Sequence, residues 1–272
     1  MTASPYILPE GYVQIALSGG RTSAYLLHQV LEANAGVPED RCVVSFQNTG
    51  REREETLDFV AEIGRRWQVD ITWLEYRAQK PLFEIVGHQG ASRNGEPFDQ
   101  LIAKKQGLPN QFQSWCSPEL KTLTAKRYLV SRGWKKWHSM VGFRADEPHR
   151  EPFKDNRITT LLPLRDAGVS KHDVALFWRS QPFDLRLPIV RGKTVGGNCD
   201  GCFKKAEAVI AALHRDEPQR AGWWMDHEAQ TGRSFSKRYT RRELQETIDR
   251  QSDWIFEDEN FFCQADGGEC VG

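Results

Sequence analysis

The stretch that most constrains this chain is Val13–Leu27, VQIALSGGRTSAYLL. A short apolar run (Tyr12, Val13, Ile15, Ala16, Leu17) meets Ser18-Gly19-Gly20 and then Arg21-Thr22-Ser23. Beyond it, Ala24, Leu27 and Leu31 recur at helical spacing, which reads as a buried strand, a tight glycine turn and a helix start. Such a turn leaves backbone N–H groups and hydroxyls at the positive end of a helix, where a phosphate can sit, and glycine lets the backbone approach the anion closely. The spacing is not that of a Walker A loop, which needs four residues between its glycines and then Lys-Ser/Thr. A plain strand-to-helix turn with a Ser-rich cap is the alternative.

The pattern repeats. Arg41–Phe46 reads as a second strand, Glu54–Trp67 as a helix, and Asp70–Glu75 as a third strand. This βαβαβ rhythm predicts an α/β fold with a doubly wound, mainly parallel sheet, and places ligands at the carboxyl ends of the strands. Residues 88–113 read as a loop region with a helical piece near Asp99–Lys105, followed by a helix over Glu119–Ser131. His138–Val141 and Ile158–Leu162 are further strands. Ser170–Arg179 is a helix with a serine cap and an acid, Asp173, three residues on. Phe203–His214, Glu217–Gln230 and Arg241–Gln251 read as helices, so the expectation is an α/β domain over residues 1–165 and a helical, cysteine-bearing extension over 166–272.

Two further constellations carry chemistry. Gly142–Arg150, GFRADEPHR, follows a strand and offers Arg144 and Arg150 to grip anion oxygens, with Asp146 and Glu147 to orient them or hold a metal; a solvated charged loop is the alternative. Cys199-Asp200-Gly201-Cys202 is a C-x-x-C knuckle. With Cys116 and either Cys263 or Cys270 it could hold a [4Fe–4S] cluster or a structural Zn²⁺, and spacing does not choose between them or exclude thiols that bind no metal. Cys42 lies inside a strand pattern and reads as a small buried hydrophobe. Gly232–Arg242, GRSFSKRYTRR, interleaves five basic residues with Phe235 and Tyr239, a strip suited to single-stranded nucleic acid or simply to solvent. Lys+Arg and Asp+Glu both number 37, so no global charge points to nucleic acid or membrane. With no apolar run of spanning length and no leader pattern, no membrane association is expected, and a soluble cytoplasmic protein is.

Ser-Gly-Gly-x-x-Ser after a strand resembles the PP-loop of the adenine-nucleotide α-hydrolases, the N-type ATP pyrophosphatases of HUP-like fold. Together with a strand ending in Asn48-Thr49-Gly50 and a helix opening Glu54-Glu55-Thr56-Leu57, the chain resembles the phosphoadenylyl-sulfate (PAPS) reductase branch of that superfamily, over roughly residues 12–205. The resemblance implies an adenine-nucleotide enzyme, an oxidoreductase or a sulfurtransferase. Ser18, Gly19, Gly20, Arg21, Thr22 and Ser23 would hold phosphates, Asn48, Thr49 and Gly50 would line the adenine or ribose side, and Gly142, Arg144 and Arg150 would complete the site. Many PP-loops of the family carry an acid where this chain has Thr22, which puts a carboxylate–Mg²⁺ role there in doubt.

The resemblance tilts the metal set Cys116, Cys199, Cys202 and Cys263 toward [4Fe–4S], although Trp115 stands where iron–sulfur relatives carry a second cysteine. The tail Gly268-Glu269-Cys270 loosely resembles the one that carries the reductases' nucleophilic cysteine, so Cys270, with Arg144 and Asp146, is the expected catalytic set; Cys270 is equally open as a cluster ligand. In one chemistry adenylyl sulfate is reduced through a thiolate and a dithiol donor. In the other, ATP with Mg²⁺ adenylylates a tRNA or DNA base, which sulfur then thiolates. A non-catalytic, metal-stapled nucleotide-binding module is the third reading. The partners these readings allow are an adenine nucleotide, a dithiol reductant, a tRNA or DNA substrate and a second copy of the chain.

Overall fold

The computed structural model describes residues 4–190 and 193–250. Its strands and helices in order are β1 (Val13–Leu17), α1 (Arg21–Asn34), β2 (Cys42–Asn48), α2 (Glu54–Trp67), β3 (Ile71–Tyr76), β4 (Phe83–Val86) and α3 (Glu96–Lys105). A π-helical turn, Pro118–Thr122, leads directly into α4 (Leu123–Ser131). Then come β5 (Trp137–Met140), β6 (Ile158–Leu161), the short α5 (Pro163–Asp166), α6 (Lys171–Ser180), a small hairpin of β7 (Ile189–Val190) and β8 (Lys193–Thr194), and finally α7 (Glu207–Asp216), α8 (Pro218–Thr231) and α9 (Arg241–Arg250).

The main sheet has the order β4-β3-β2-β1-β5-β6. Every neighbouring pair is parallel except β3–β4. The doubly wound α/β fold expected from the strand–helix rhythm is therefore present, with an antiparallel edge strand. That edge, β4, does not stand out in the sequence because it is only four residues long with its middle two exposed. Every residue of β2 is buried, as a central strand covered on both faces requires. Val13, Ile15 and Leu17 of β1 pack with Ala24, Leu27 and Val30 of α1 and with Phe59 and Val60 of α2. Trp178 of α6 and Phe183 join this cluster, so the chain beyond residue 165 returns to cover α1.

Cys42 is buried in β2, and burial pushes its thiol up to about 12. It is expected to resist iodoacetamide at pH 8 in the folded protein; rapid labelling of Cys42, read by peptide mass spectrometry, would contradict this packing.

A second cluster forms around Trp224, with Phe98, Leu101, Leu120, Leu213, Phe235, Cys199 and Cys202. Phe203–Ala206, expected to open a helix, is instead turn that closes the cysteine knuckle, and α7 begins at Glu207. The Ser170 cap is as expected: its hydroxyl accepts from Asp173 N at 3.4 Å while the Asp173 carboxylate accepts from Ser170 N at 2.8 Å. Among the described residues no helix is long and apolar enough to cross a membrane.

Candidate functional site

Strand order reverses about β1: β2 and β3 lie on one side and β5 and β6 on the other. The crevice between β1 and β5 at their carboxyl ends is where a doubly wound sheet binds ligands. A pocket opens there, lined by Ser18 and Ser23 of the turn, Gly142 and Phe143 after β5, Lys121 and Thr122 of the π-helical turn, and Arg150.

The turn is built tightly. Gly19 has φ +81°, and a Cβ there would lie 2.6 Å from Thr56 Cγ2 and 3.1 Å from the Phe46 ring. Ser23 Oγ accepts from Ser18 N at 3.1 Å, stands 2.9 Å from Ser18 Oγ, and donates to Gly20 O at 3.0 Å. Gly20 is the N-cap of helix α1 and gives it no side-chain cap, and its first turn holds no acid, so nothing of its own neutralises the positive end. A Cβ on Gly142 would lie 3.2 Å from Ser23 Cα, so glycine is what lets the end of β5 close against this turn.

The neighbouring arginines brace the pocket. Arg21 donates from Nε to Asp184 Oδ1 at 2.6 Å and from Nη2 to Asp184 Oδ2 at 2.8 Å, and also reaches Thr194 Oγ1 at 2.9 Å. Its side chain thus ties the turn to the chain 163 residues later, and what Arg21 offers an anion is its backbone. Arg144 is buried, donating to Thr22 Oγ1 at 3.2 Å and to Asp146 Oδ1 at 2.8 Å. The other Asp146 oxygen accepts from Lys171 N at 3.1 Å, at the start of α6. Thr22, where an acid is common in the resembling family, here serves as acceptor to Arg144. Arg150 Nη1 donates to Glu147 at 2.9 Å, and its guanidinium lies 4.1 Å from the centroid of Phe143, a stacked cation in the pocket wall.

Asn48, Thr49 and Gly50 are buried beside this pocket and are not part of its lining. Asn48 Nδ2 donates to Glu75 Oε1 at 2.6 Å and to Ser92 O at 2.8 Å, and Asn48 Oδ1 accepts from Gly50 N at 3.1 Å. Thr49 donates its N–H and hydroxyl to Glu52 Oε2 at 2.8 and 2.7 Å, and its hydroxyl lies 3.2 Å from Cys199 Sγ. The Asn-Thr-Gly turn therefore joins the sheet to the cysteine knuckle.

That knuckle is clamped by buried charge. Asp200 N donates to Arg51 O at 3.0 Å. The Asp200 carboxylate accepts from Arg51 Nη2 at 2.7 Å, Arg220 Nε at 2.5 Å, Trp224 Nε1 at 2.8 Å and Gly201 N at 2.8 Å. Burial pushes its pKa up, but the two guanidiniums outweigh this and hold it below the ordinary carboxylate value. Arg241, fully buried, donates to Gly201 O at 2.9 Å.

Cys116, Cys199 and Cys202 all line one small cavity walled by Phe98, Leu120 and Trp224. Three soft sulfur donors in a largely apolar shell fit the chemistry of an iron–sulfur cluster or of Zn²⁺. Cys263 and Cys270 lie outside the described residues. Lys121 lines this cavity and the crevice pocket alike, its ammonium 3.7 Å from Glu52 Oε1 and 3.4 Å from Asn198 Oδ1. The π-helical turn, which the sequence does not signal, carries Lys121 on the segment that follows Cys116. A separate donor group, Glu54, Asp58 and His88, lies toward solvent, with both Glu54 oxygens held by Arg93 at 2.7 Å.

The basic strip differs from its sequence reading. Phe235 is fully buried and packs its ring 4.8 Å from Trp224, Tyr239 is half-buried, and Arg241 is interior, so the aromatic ring expected to stack on bases belongs to the core.

No protein-family model matches the chain. It is 32% identical over 212 residues to the uncharacterized nin region protein ORF290 of Escherichia phage lambda, an alignment spanning 75% of this chain and 69% of that protein. Among solved structures it is similar to PAPS reductase from Candida auris, at 15% identity and a TM-score of 0.43, covering 64% of this chain and 74% of that one. It is also similar to NMN synthetase from Francisella tularensis, at 11% identity and a TM-score of 0.38, covering 92% and 90%. A third similar structure is the U34-tRNA thiolase NcsA from Methanococcus maripaludis with its [4Fe–4S] cluster, at 12% identity and a TM-score of 0.38, covering 89% and 82%.

Proposed function

The chain belongs to the family of the phage lambda nin region protein ORF290, and we propose that it is an adenine-nucleotide enzyme of PP-loop type working in sulfur chemistry. The observation that carries this reading is Lys121, whose side chain lines both the crevice beside the glycine turn and the cavity of Cys116, Cys199 and Cys202. A cation placed between an anion site and a sulfur site stabilises negative charge on either side.

In this reading the backbone N–H groups of Gly19–Ser23, with the Ser18 and Ser23 hydroxyls, hold the phosphates. Arg150 and Lys121 neutralise them from the pocket wall. Arg144, Asp146 and Glu147 are positioning residues that keep the β5 loop against the turn. Cys116, Cys199 and Cys202 would hold a [4Fe–4S] cluster, with Zn²⁺ as the alternative; the cluster, when bound, supplies sulfur or redox chemistry. With adenylyl sulfate as substrate, a thiolate takes the sulfur group, AMP leaves, and a dithiol donor completes reduction. With ATP and Mg²⁺, an acceptor oxygen displaces pyrophosphate and sulfur then displaces AMP. The second reading is favoured by the single cysteine at Cys116 beside the C-x-x-C knuckle.

The test is anaerobic purification with iron, sulfide and zinc analysis, then turnover with each nucleotide. A brown protein with about four irons per chain is expected. Sulfite from adenylyl sulfate plus dithiol selects reduction, and pyrophosphate from ATP selects adenylylation. Absence of binding to either nucleotide overturns the proposal. Cys199→Ser is expected to lose its metal and lower the unfolding midpoint; full metal content in that variant would remove Cys199 from the site.

A further inference from the structure

The segment before Cys116 and the basic strip meet on the surface, although about 120 residues separate them in sequence. Phe112 is 67% exposed, and Lys237 Nζ lies 3.6 Å from its ring centroid. Arg233 packs over Gly107, where a Cβ would lie 3.6 Å from its Cδ. The ring is presented by an ordered turn rather than a loose tip. Asn110 Oδ1 accepts from Phe112 N at 2.9 Å and from Gln113 N at 3.2 Å, and the backbones of Asn110 and Gln113 are bonded at 3.2 and 3.1 Å.

Charge around the ring is positive. Lys237, on the ring, and Arg233, over Gly107, are exposed, and among the described residues no carboxylate pairs with them. Lys105 is neutralised by Glu119 at 3.0 Å, and Arg238 stands 3.9 Å from Glu207. Phe112 is the sole exposed large hydrophobic side chain on this face among the described residues, too little apolar area for the core of a protein–protein interface. One open aromatic face beside unpaired cations instead suits an unstacked base and its flanking phosphates.

We propose that the Phe112–Lys237 face binds a single-stranded polynucleotide. If the nucleotide-dependent reading above holds, this is the acceptor's entry surface, since the same segment runs four residues on to Cys116; the binding itself does not depend on that reading.

The test is fluorescence anisotropy of the full chain with labelled single-stranded DNA and RNA 20-mers, across 50–200 mM salt. Phe112→Ala is expected to weaken binding about tenfold with an unchanged salt slope. Lys237→Gln should lower that slope by about 0.7. Arg65→Gln, exposed on α2, should change neither. ATP binding is measured on the same samples. Oligonucleotide binding without ATP binding refutes the nucleotide reading and leaves this proposal standing. No binding by wild type, equal affinity for a blunt duplex, unchanged affinity in Phe112→Ala, or binding of polyglutamate with no binding of either strand overturns it.

Discussion

Asp200→Ala is expected to cost about 3–5 kcal/mol of stability, because it strips the shared carboxylate from the buried Arg51 guanidinium and from the half-buried Arg220 beside it. Arg51 and Arg220 would lose their shared carboxylate and keep, among the described residues, only the carbonyls of Arg220 and Glu52 as hydrogen-bond acceptors, while Trp224 Nε1 and Gly201 N would lose their acceptor. Equilibrium urea unfolding measures the loss. Asp200→Asn keeps an acceptor for Trp224 but removes the charge, so it should fall between wild type and alanine. A loss below about 1 kcal/mol in the alanine variant would mean the clamp does not hold the knuckle.

The pH dependence of that difference has a definite sign. The folded-state pKa of Asp200 lies below its ordinary value of 3.8, with burial raising it and Arg51 and Arg220 lowering it more. A depressed carboxylate contributes stability that is complete above the unfolded pKa and is lost as pH falls through the folded one. The gap between wild type and Asp200→Asn should therefore be flat from pH 5 to 8 and close only below the ordinary carboxylate range.

Gly19→Ala is the other large effect. Its φ of +81° costs an L-residue about 1–2 kcal/mol, and a methyl 2.6 Å from Thr56 Cγ2 adds about 1–3 kcal/mol of overpacking. Gly133→Ala separates the two contributions: Gly133 has φ +88° with nothing within 4 Å of its Cβ position, so it carries backbone strain alone. The expected result is that Gly19→Ala loses clearly more stability than Gly133→Ala, and that it alone weakens ATP binding, because Thr56 and Phe46 can yield only by shifting the turn. Equal losses would show that the turn has room to move.

Much of this architecture is written in local pattern. The alternation and apolar run of Val13–Leu17, the glycine turn, the helical spacing in α1 and α2 and the Ser170–Asp173 cap are properties of short stretches, because side-chain direction repeats every 2 or 3.6 residues whatever lies elsewhere. The uncompensated positive end of α1 is equally local, following from backbone geometry and the absence of acid in its first turn. What each charged or aromatic side chain does is not. Sequence does not show that Asp184 engages the Arg21 guanidinium, that Glu75 takes the Asn48 amide, or that Trp224 covers Phe235, read as a stacking platform. These partners come from separate elements, and only close packing brings them together; a buried polar or charged group must then satisfy whatever neighbour packing supplies. Short-range pattern thus specifies the strand–turn–helix frame and the residue types available for chemistry. Long-range packing sets which of them brace, which line the crevice, and that Cys116, Cys199 and Cys202 share one cavity, since that depends on helices folding back across the sheet's carboxyl edge.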